Sequence, residues 1–110
     1  MLNTYTSFKL LYYALDSIFD ETKEEELGEF CSNMNPFIFA DEGSADPAIY
    51  SNYKKQFEER FNKECSISEA YEFAKEYLNK EVDIYAKHAV DAFSRVSLED
   101  WTNAANNMND

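Results

Sequence analysis

His88, the single histidine of this 110-residue chain, is a side chain that suits both proton transfer near neutral pH and metal binding. Glu81 lies seven residues before it and Asp91 three residues after it, so on a helix all three share one side. One helix supplies too few convergent ligands for a metal site. Dimetal helical bundles use Glu-x-x-His motifs, and Tyr85 stands where that glutamate would be. We predict a partly exposed histidine with no metal or cofactor, and keep a metal-binding or enzymatic domain centred on His88 as a third hypothesis.

The remaining reactive side chains do not form a catalytic motif. Cys31 has acidic neighbours and Cys65 follows Lys63 and Glu64, an arrangement that does not activate a thiolate. We expect both cysteines to be reduced, small and buried. The acidic turn around Gly43 lacks the alternating ligand pattern of a calcium loop, and the chain has no phosphate-binding glycine loop or serine-triad motif. The sequence therefore indicates a binding protein, not an enzyme.

Negative charge is concentrated in one segment. The chain has 22 acidic and 10 basic residues, a formal net charge of −12. Residues 16–46 contain ten acids and one lysine, a net charge of −9 in that segment alone. Nucleic acids and anionic membranes are disfavoured partners, because phosphate contacts need clustered Lys and Arg. A basic protein is the favoured partner, and the acidic segment is the predicted docking surface.

The first functional hypothesis is an inhibitor or immunity-type protein that blocks a basic, nucleic-acid-acting protein. Acidic side chains would steer association while a few aromatic rings supply affinity. Tyr13 lies off the main apolar stripe of its helix and is the best candidate for an exposed aromatic residue, followed by Tyr5. The predicted partner-binding residues are Tyr13, Asp16, Asp20, Glu24, Glu25, Glu26, Glu29, Asp41, Glu42 and Tyr50.

One segment resembles a known family. The stretch from Glu24-Glu25-Glu26-Leu27 through Gly43-Ser44-Ala45-Asp46 to Ile49-Tyr50 resembles the acidic helices of the small immunity proteins that inhibit colicin-type nucleases. In that family the equivalent helix is very short and carries adjacent tyrosines. Here a long helix follows Pro47, and Ser51 follows Tyr50. The resemblance therefore carries no residue roles over to this chain.

Hydrophobic periodicity predicts helices throughout. Apolar residues recur at helical spacing over residues 6–19, and a second helix is expected from a capping box at Thr22 to about residues 33–35, before Pro36. Asp46 followed by Pro47 predicts the start of a third helix, which should end near Cys65. Two further capping signals begin at Ser66 and Ser97. The rings expected in the core are Phe8, Phe57, Phe61, Tyr71 and Tyr85.

Two further features complete the predicted architecture. Residues 35–46 form the one long loop, in which at least two of Phe37, Ile38 and Phe39 should dock on the core. One long helix is predicted near residues 67–96, with a kink near Asn79 as an option. This helix has a second apolar edge, formed by Ala70, Phe73, Tyr77 and Ile84. The edge suggests, as the alternative hypothesis, a structural or regulatory homodimer.

Together these patterns predict an all-α, antiparallel bundle of four to five helices that forms a single domain over residues 1–110. The apolar stretch at residues 8–19 contains Lys9 and Asp16 and has no cleavage site, so it is not a signal peptide. No stretch reaches the length of a membrane span. We therefore expect a cytoplasmic protein.

Overall fold

Six helices and one pair of two-residue strands make up the described structure. The computed structural model describes residues 1–80 and 84–108, and the side chains of residues 84 and 85 lie outside that description. In chain order the elements are β1 (Leu2–Asn3), α1 (Thr4–Thr22), α2 (Glu25–Met34), α3 (Pro47–Phe61), β2 (Glu64–Cys65), α4 (Ile67–Lys80), α5 (Ile84–Phe93) and α6 (Leu98–Asn107). The all-α prediction is confirmed, with more helices than expected.

Three of the predicted helix starts are confirmed by their hydrogen bonds. The Asp46 carboxylate accepts from the Ala48 amide at 3.1 Å, with Pro47 in the first turn of α3. The Ser66 hydroxyl accepts from the Glu69 amide at 3.1 Å, while Glu69 accepts from the Ser66 amide at 2.9 Å, which completes a reciprocal capping box. The Ser97 hydroxyl accepts from the Asp100 amide at 3.0 Å.

The capping box predicted at Thr22 is wrong. Helix α1 runs through Thr22, whose hydroxyl donates to the Ile18 carbonyl at 3.0 Å. Lys23 then adopts the left-handed conformation, with φ of 55°, and ends the helix. Helix α2 starts two residues later than the box would place it, after Glu24. Its first turn carries Glu25 and Glu26, whose charges favour a helix N-terminus.

Helix α3 ends earlier than predicted, at Phe61. Asn62 has a φ of 65°, and its amide donates to the Glu58 carbonyl. The chain then pairs Cys65 with Leu2 and Glu64 with Asn3 in an antiparallel ladder. This short ladder connects the start of the chain to the segment between α3 and α4.

The single long helix predicted near residues 67–96 is wrong, because α4 and α5 pack side by side. The rings of Tyr71 and Phe93 have centroids 5.4 Å apart, and the Tyr71 hydroxyl donates to the Val96 carbonyl. In one continuous helix, residues 71 and 93 would lie about 33 Å apart at 1.5 Å per residue. Asn79, the suggested kink, remains inside α4. The residues between the two helices, 81–83, lie outside the described residues.

Packing on α3 of the same chain explains the second apolar edge that suggested a homodimer. Ala70, Phe73 and Tyr77 are all buried within this chain, so they are not free for a second copy. The Phe73 ring packs edge-on against Tyr53 and Phe57 of α3. The side chain of Ile84, the fourth member of that edge, lies outside the described residues.

All six helices contribute to one buried core. Phe8, Phe57 and Tyr71 are buried as predicted, whereas Phe61 is partly buried against the core, and the side chain of Tyr85 is not described. Trp101 of α6 is fully buried, and its indole nitrogen donates to the Ile67 carbonyl at 2.9 Å. Within the described ranges, no helix has both the length and the apolar character needed to cross a bilayer.

Candidate protein-binding surface

The loop between α2 and α3 presents an exposed apolar patch, contrary to the prediction that it would dock on the core. Phe37, Ile38 and Phe39 have exposed fractions of 52%, 57% and 57%. The Phe37 ring lies against two rings of α1, with centroids 5.6 Å from Tyr13 and 5.8 Å from Tyr12. Tyr13 is itself 45% exposed, as predicted. We call Tyr13, Phe37, Ile38 and Phe39 the aromatic patch.

The two ends of the loop explain why its middle faces outward. Pro36 is fully buried, and its carbonyl accepts from the Tyr5 hydroxyl at 2.8 Å. At the far end, the Ala45 amide donates to the Asn35 carbonyl at 2.9 Å. The Asp46 amide donates to the Asn33 carbonyl at 2.8 Å. The proline therefore takes the core position at the loop entrance, and the three apolar residues that follow are carried onto the surface.

An acidic groove lies between α1 and α2, next to the aromatic patch. Its volume is about 420 Å³, and its walls include Asp16, Glu25 and Glu29, with Phe19 at one side. Tyr12 lines the groove and also contacts Phe37, so the groove and the patch are continuous. Lys23 also lines the groove, but its ammonium lies 3.5 Å from the Asp20 carboxylate at the exposed end of α1.

Burial and neighbouring acids raise the pKa of two groups in the groove, Asp16 and Tyr12. Partial burial, with Asp20 as a second cause, raises the pKa of Asp16, and Lys23 opposes this shift. Burial and the Asp16 charge raise the pKa of the Tyr12 hydroxyl. The groove therefore disfavours further negative charge and is suited to receive a cationic side chain.

The other predicted acids do not join this groove. Glu24 and Glu26 lie beside His88 of α5. Asp41 and Glu42 line a separate pocket of about 300 Å³ next to Phe39. The predicted acids are thus divided among several local sites.

Tyr50, predicted as an aromatic residue of the docking surface, is buried. Its ring packs against Tyr5 and Phe8 with centroids 5.4 and 5.0 Å away. The Tyr50 hydroxyl reaches Glu42 at 3.5 Å, and burial followed by the Glu42 charge raises its pKa. Tyr50 belongs to the core at the position where a surface ring was expected, because α3 turns this face towards α1.

Neither cysteine is arranged for nucleophilic chemistry. Burial is the largest cause that raises the pKa of Cys31 to about 12, with the Asp16 charge second. Burial likewise raises the pKa of Cys65 to about 11, with Glu69 as the second cause. Both thiols are buried and free. A thiol with a raised pKa is protonated at neutral pH and is a weak nucleophile.

Sequence reasoning missed two features of this surface. The run of Phe37, Ile38 and Phe39 was assigned to the core by its hydrophobicity, although it follows Pro36 and precedes an acidic turn. The second missed feature is the approach of Glu24 and Glu26 to His88, since these glutamates lie more than sixty positions before the histidine in the chain. Glu81, the predicted neighbour of His88, lies outside the described residues.

No protein-family model, curated protein or solved structure matches this chain.

Proposed function

We propose that this chain is a protein-binding domain that docks a basic protein through the acidic groove and the adjoining aromatic patch. The observation that carries the proposal is their continuity through Tyr12, which lines the groove and contacts Phe37. An inhibitor or immunity-type role, in which the chain occupies a groove built for phosphate on a nucleic-acid-acting protein, is the specific form we favour.

The aromatic patch is the source of affinity in this proposal. Large apolar side chains at the centre of an interface supply most of the binding free energy when a partner excludes water from them. Phe37, Ile38 and Phe39 are consecutive and more than half exposed, although their hydrophobicity favours burial. A partner that covers these side chains would remove their apolar surface from water, which favours binding.

In this proposal the acidic side chains orient the partner and raise the rate of association. Asp16, Glu25 and Glu29 border the groove, and the whole chain carries a net charge of −12. Such a field accelerates encounters with a positively charged partner and repels nucleic acid. A Lys or Arg side chain in the groove would also relieve the repulsion between Asp16 and Asp20.

Affinity capture with matched variants tests the proposal. The tagged chain is incubated with lysate from its own source, and the bound proteins are identified and then purified for affinity measurement at low and high salt. The groove variant combines Glu25→Lys with Glu29→Lys, and the patch variant combines Phe37→Ser with Phe39→Ser. The charge control combines Glu59→Lys with Glu99→Lys, because these exposed residues lie outside the groove and give the same change in net charge.

We expect one basic partner whose affinity falls at least about tenfold, or ~1.4 kcal/mol, in the groove and patch variants. The charge control should retain binding, with a smaller loss that salt abolishes. If the groove variant binds the partner as tightly as the native chain does, the proposal that the groove forms part of the binding surface is wrong. Equal losses in the groove variant and the charge control would show that net charge acts without a specific surface.

A further inference from the structure

His88 is approached by two carboxylates from a distant part of the chain. Glu24 precedes α2, Glu26 lies in the first turn of that helix, and His88 lies on α5, which packs against α2. One ligand atom from each of the three side chains lies within 4.8 Å of the other two. This is the arrangement that the single-helix prediction for His88 lacked.

The centre of this cluster is partly screened from water. The Glu24 Oε1 atom is buried and touches the His88 Nδ1 atom, and among the described residues no group gives it a hydrogen bond of normal geometry. The side chains of His88 and Glu24 keep 35% and 41% of their surface exposed, so an ion can enter from solvent. A metal ion held here would stand between this oxygen and the imidazole nitrogen that it now contacts.

The donor set selects the class of cation. Calcium and magnesium prefer oxygen ligands alone, whereas an imidazole with carboxylates suits a divalent transition-metal ion such as zinc. Bonds of about 2.0–2.2 Å to a tetrahedral zinc ion place its ligand atoms about 3.3–3.6 Å apart. The Glu24 and His88 atoms touch, so a metal ion would require these two half-exposed side chains to rotate apart, while the Glu26 atom lies within 4.8 Å of both. Two carboxylates balance the two charges of the ion.

We propose that Glu24, Glu26 and His88 form a binding site for a zinc-class divalent metal, with water in the fourth position. The competing interpretation is a simple ion pair between His88 and Glu24. The two differ at Glu26, which the metal site requires and the ion pair does not. The proposal does not rest on the basic partner, because the lining of the acidic groove includes Glu25 and Glu29 but none of the three proposed ligands.

Calorimetric titration with zinc chloride separates the two interpretations. The native chain is first stripped with a chelator and then titrated beside Glu26→Gln, His88→Ala and the control Glu25→Gln. Cobalt(II) serves as a spectroscopic substitute, since its visible absorption reports ligand geometry. Thermal unfolding of each stripped variant shows whether the fold has changed before any metal is added.

We expect one zinc ion per chain, a higher unfolding temperature with zinc, and an affinity at least about tenfold weaker in Glu26→Gln and His88→Ala. Glu25→Gln should bind zinc like the native chain. The absence of saturable binding would overturn the proposal. So would a Glu26→Gln variant that binds zinc normally, or equal weakening by Glu25→Gln and Glu26→Gln, which would indicate diffuse association with an acidic surface.

Discussion

Asp16 connects the stability of the fold to the proposed function. It lies at the groove, where partial burial and the neighbouring Asp20 raise its pKa above the ordinary value of an aspartate. The ionised form is therefore less favourable in the folded chain than in the unfolded chain. Sites that bind charged partners commonly contain groups whose pKa is shifted in this way.

At the residue scale, Asp16→Asn should raise the free energy of unfolding at neutral pH. A raised pKa means that the folded chain binds the proton more tightly, so this contribution to stability is present at low pH and is lost as pH rises through the folded-state pKa. The advantage of the asparagine should therefore shrink as the solution is acidified. Urea denaturation at a series of pH values, followed by the fluorescence of Trp101, measures this difference.

Asp91→Asn provides the control for charge removal, because Asp91 is exposed on α5. A stabilisation by Asp16→Asn that is the same at every pH would contradict the explanation. The same variant should bind a basic partner less tightly, because a cation in the groove favours the ionised carboxylate. Stability and binding are thus expected to change in opposite directions.

At the scale of elements, the packing of α1 on α2 depends on Gly28. A Cβ atom at this position would lie 2.6 Å from the Cε1 atom of the Phe19 ring. Phe19 also lines the acidic groove, so the glycine both permits the close approach of the helices and determines the position of one groove wall. Gly43, in the loop before α3, has no heavy atom within 4 Å of such a Cβ.

Gly28→Ala should lower the free energy of unfolding by about 1 kcal/mol. Overpacking costs about 1–3 kcal/mol, and the better helix propensity of alanine returns about 1 kcal/mol. Gly43→Ala is the matched control and should change stability by less than about 0.5 kcal/mol. Chemical denaturation of both variants checks the difference. A Gly28→Ala variant more stable than the native chain would show that the Phe19 ring moves aside freely.

At the scale of the whole molecule, net charge opposes folding. The radius of gyration is 12.7 Å and the net charge is −12, so most acidic side chains lie within one or two screening lengths of others at moderate salt. The described ion pairs Asp20–Lys23, Glu72–Lys75 and Glu76–Arg60 are exposed and contribute little to stability. Repulsion among the acids that remain unbalanced by bases opposes folding.

Sodium chloride should therefore raise the thermal unfolding midpoint. Between roughly 10 mM and 1 M salt the screening length falls from about 30 Å to about 3 Å. A gain of about 1 kcal/mol would raise the midpoint by about 4–8 °C for a chain of about this size. The Glu59→Lys and Glu99→Lys variant, which is less negative, should show a smaller salt effect. A midpoint that falls with salt would indicate that specific ion pairs outweigh the general repulsion.

The sequence by itself determined the features that depend on near neighbours in the chain. The helical class follows from apolar spacing, and the helix starts after Asp46, Ser66 and Ser97 follow from side chains that bond amides two or three residues ahead. Thr22 carries the same signal, but its hydroxyl bonds back to Ile18 because α1 continues through it. The charge of residues 16–46 is also a property of the sequence alone.

The tertiary structure decided everything that depends on which faces meet. The apolar residues of α4 lie on two edges. Helix α5 packs against one at Tyr71 and α3 packs against the other at Phe73, a choice of neighbours that local periodicity does not encode. Once Pro36 occupies the core entrance, Phe37, Ile38 and Phe39 are left at the surface. The approach of Glu24 and Glu26 to His88 likewise follows from the packing of α2 against α5. These contacts join residues far apart in the chain, and their positions follow from the packing of the whole core.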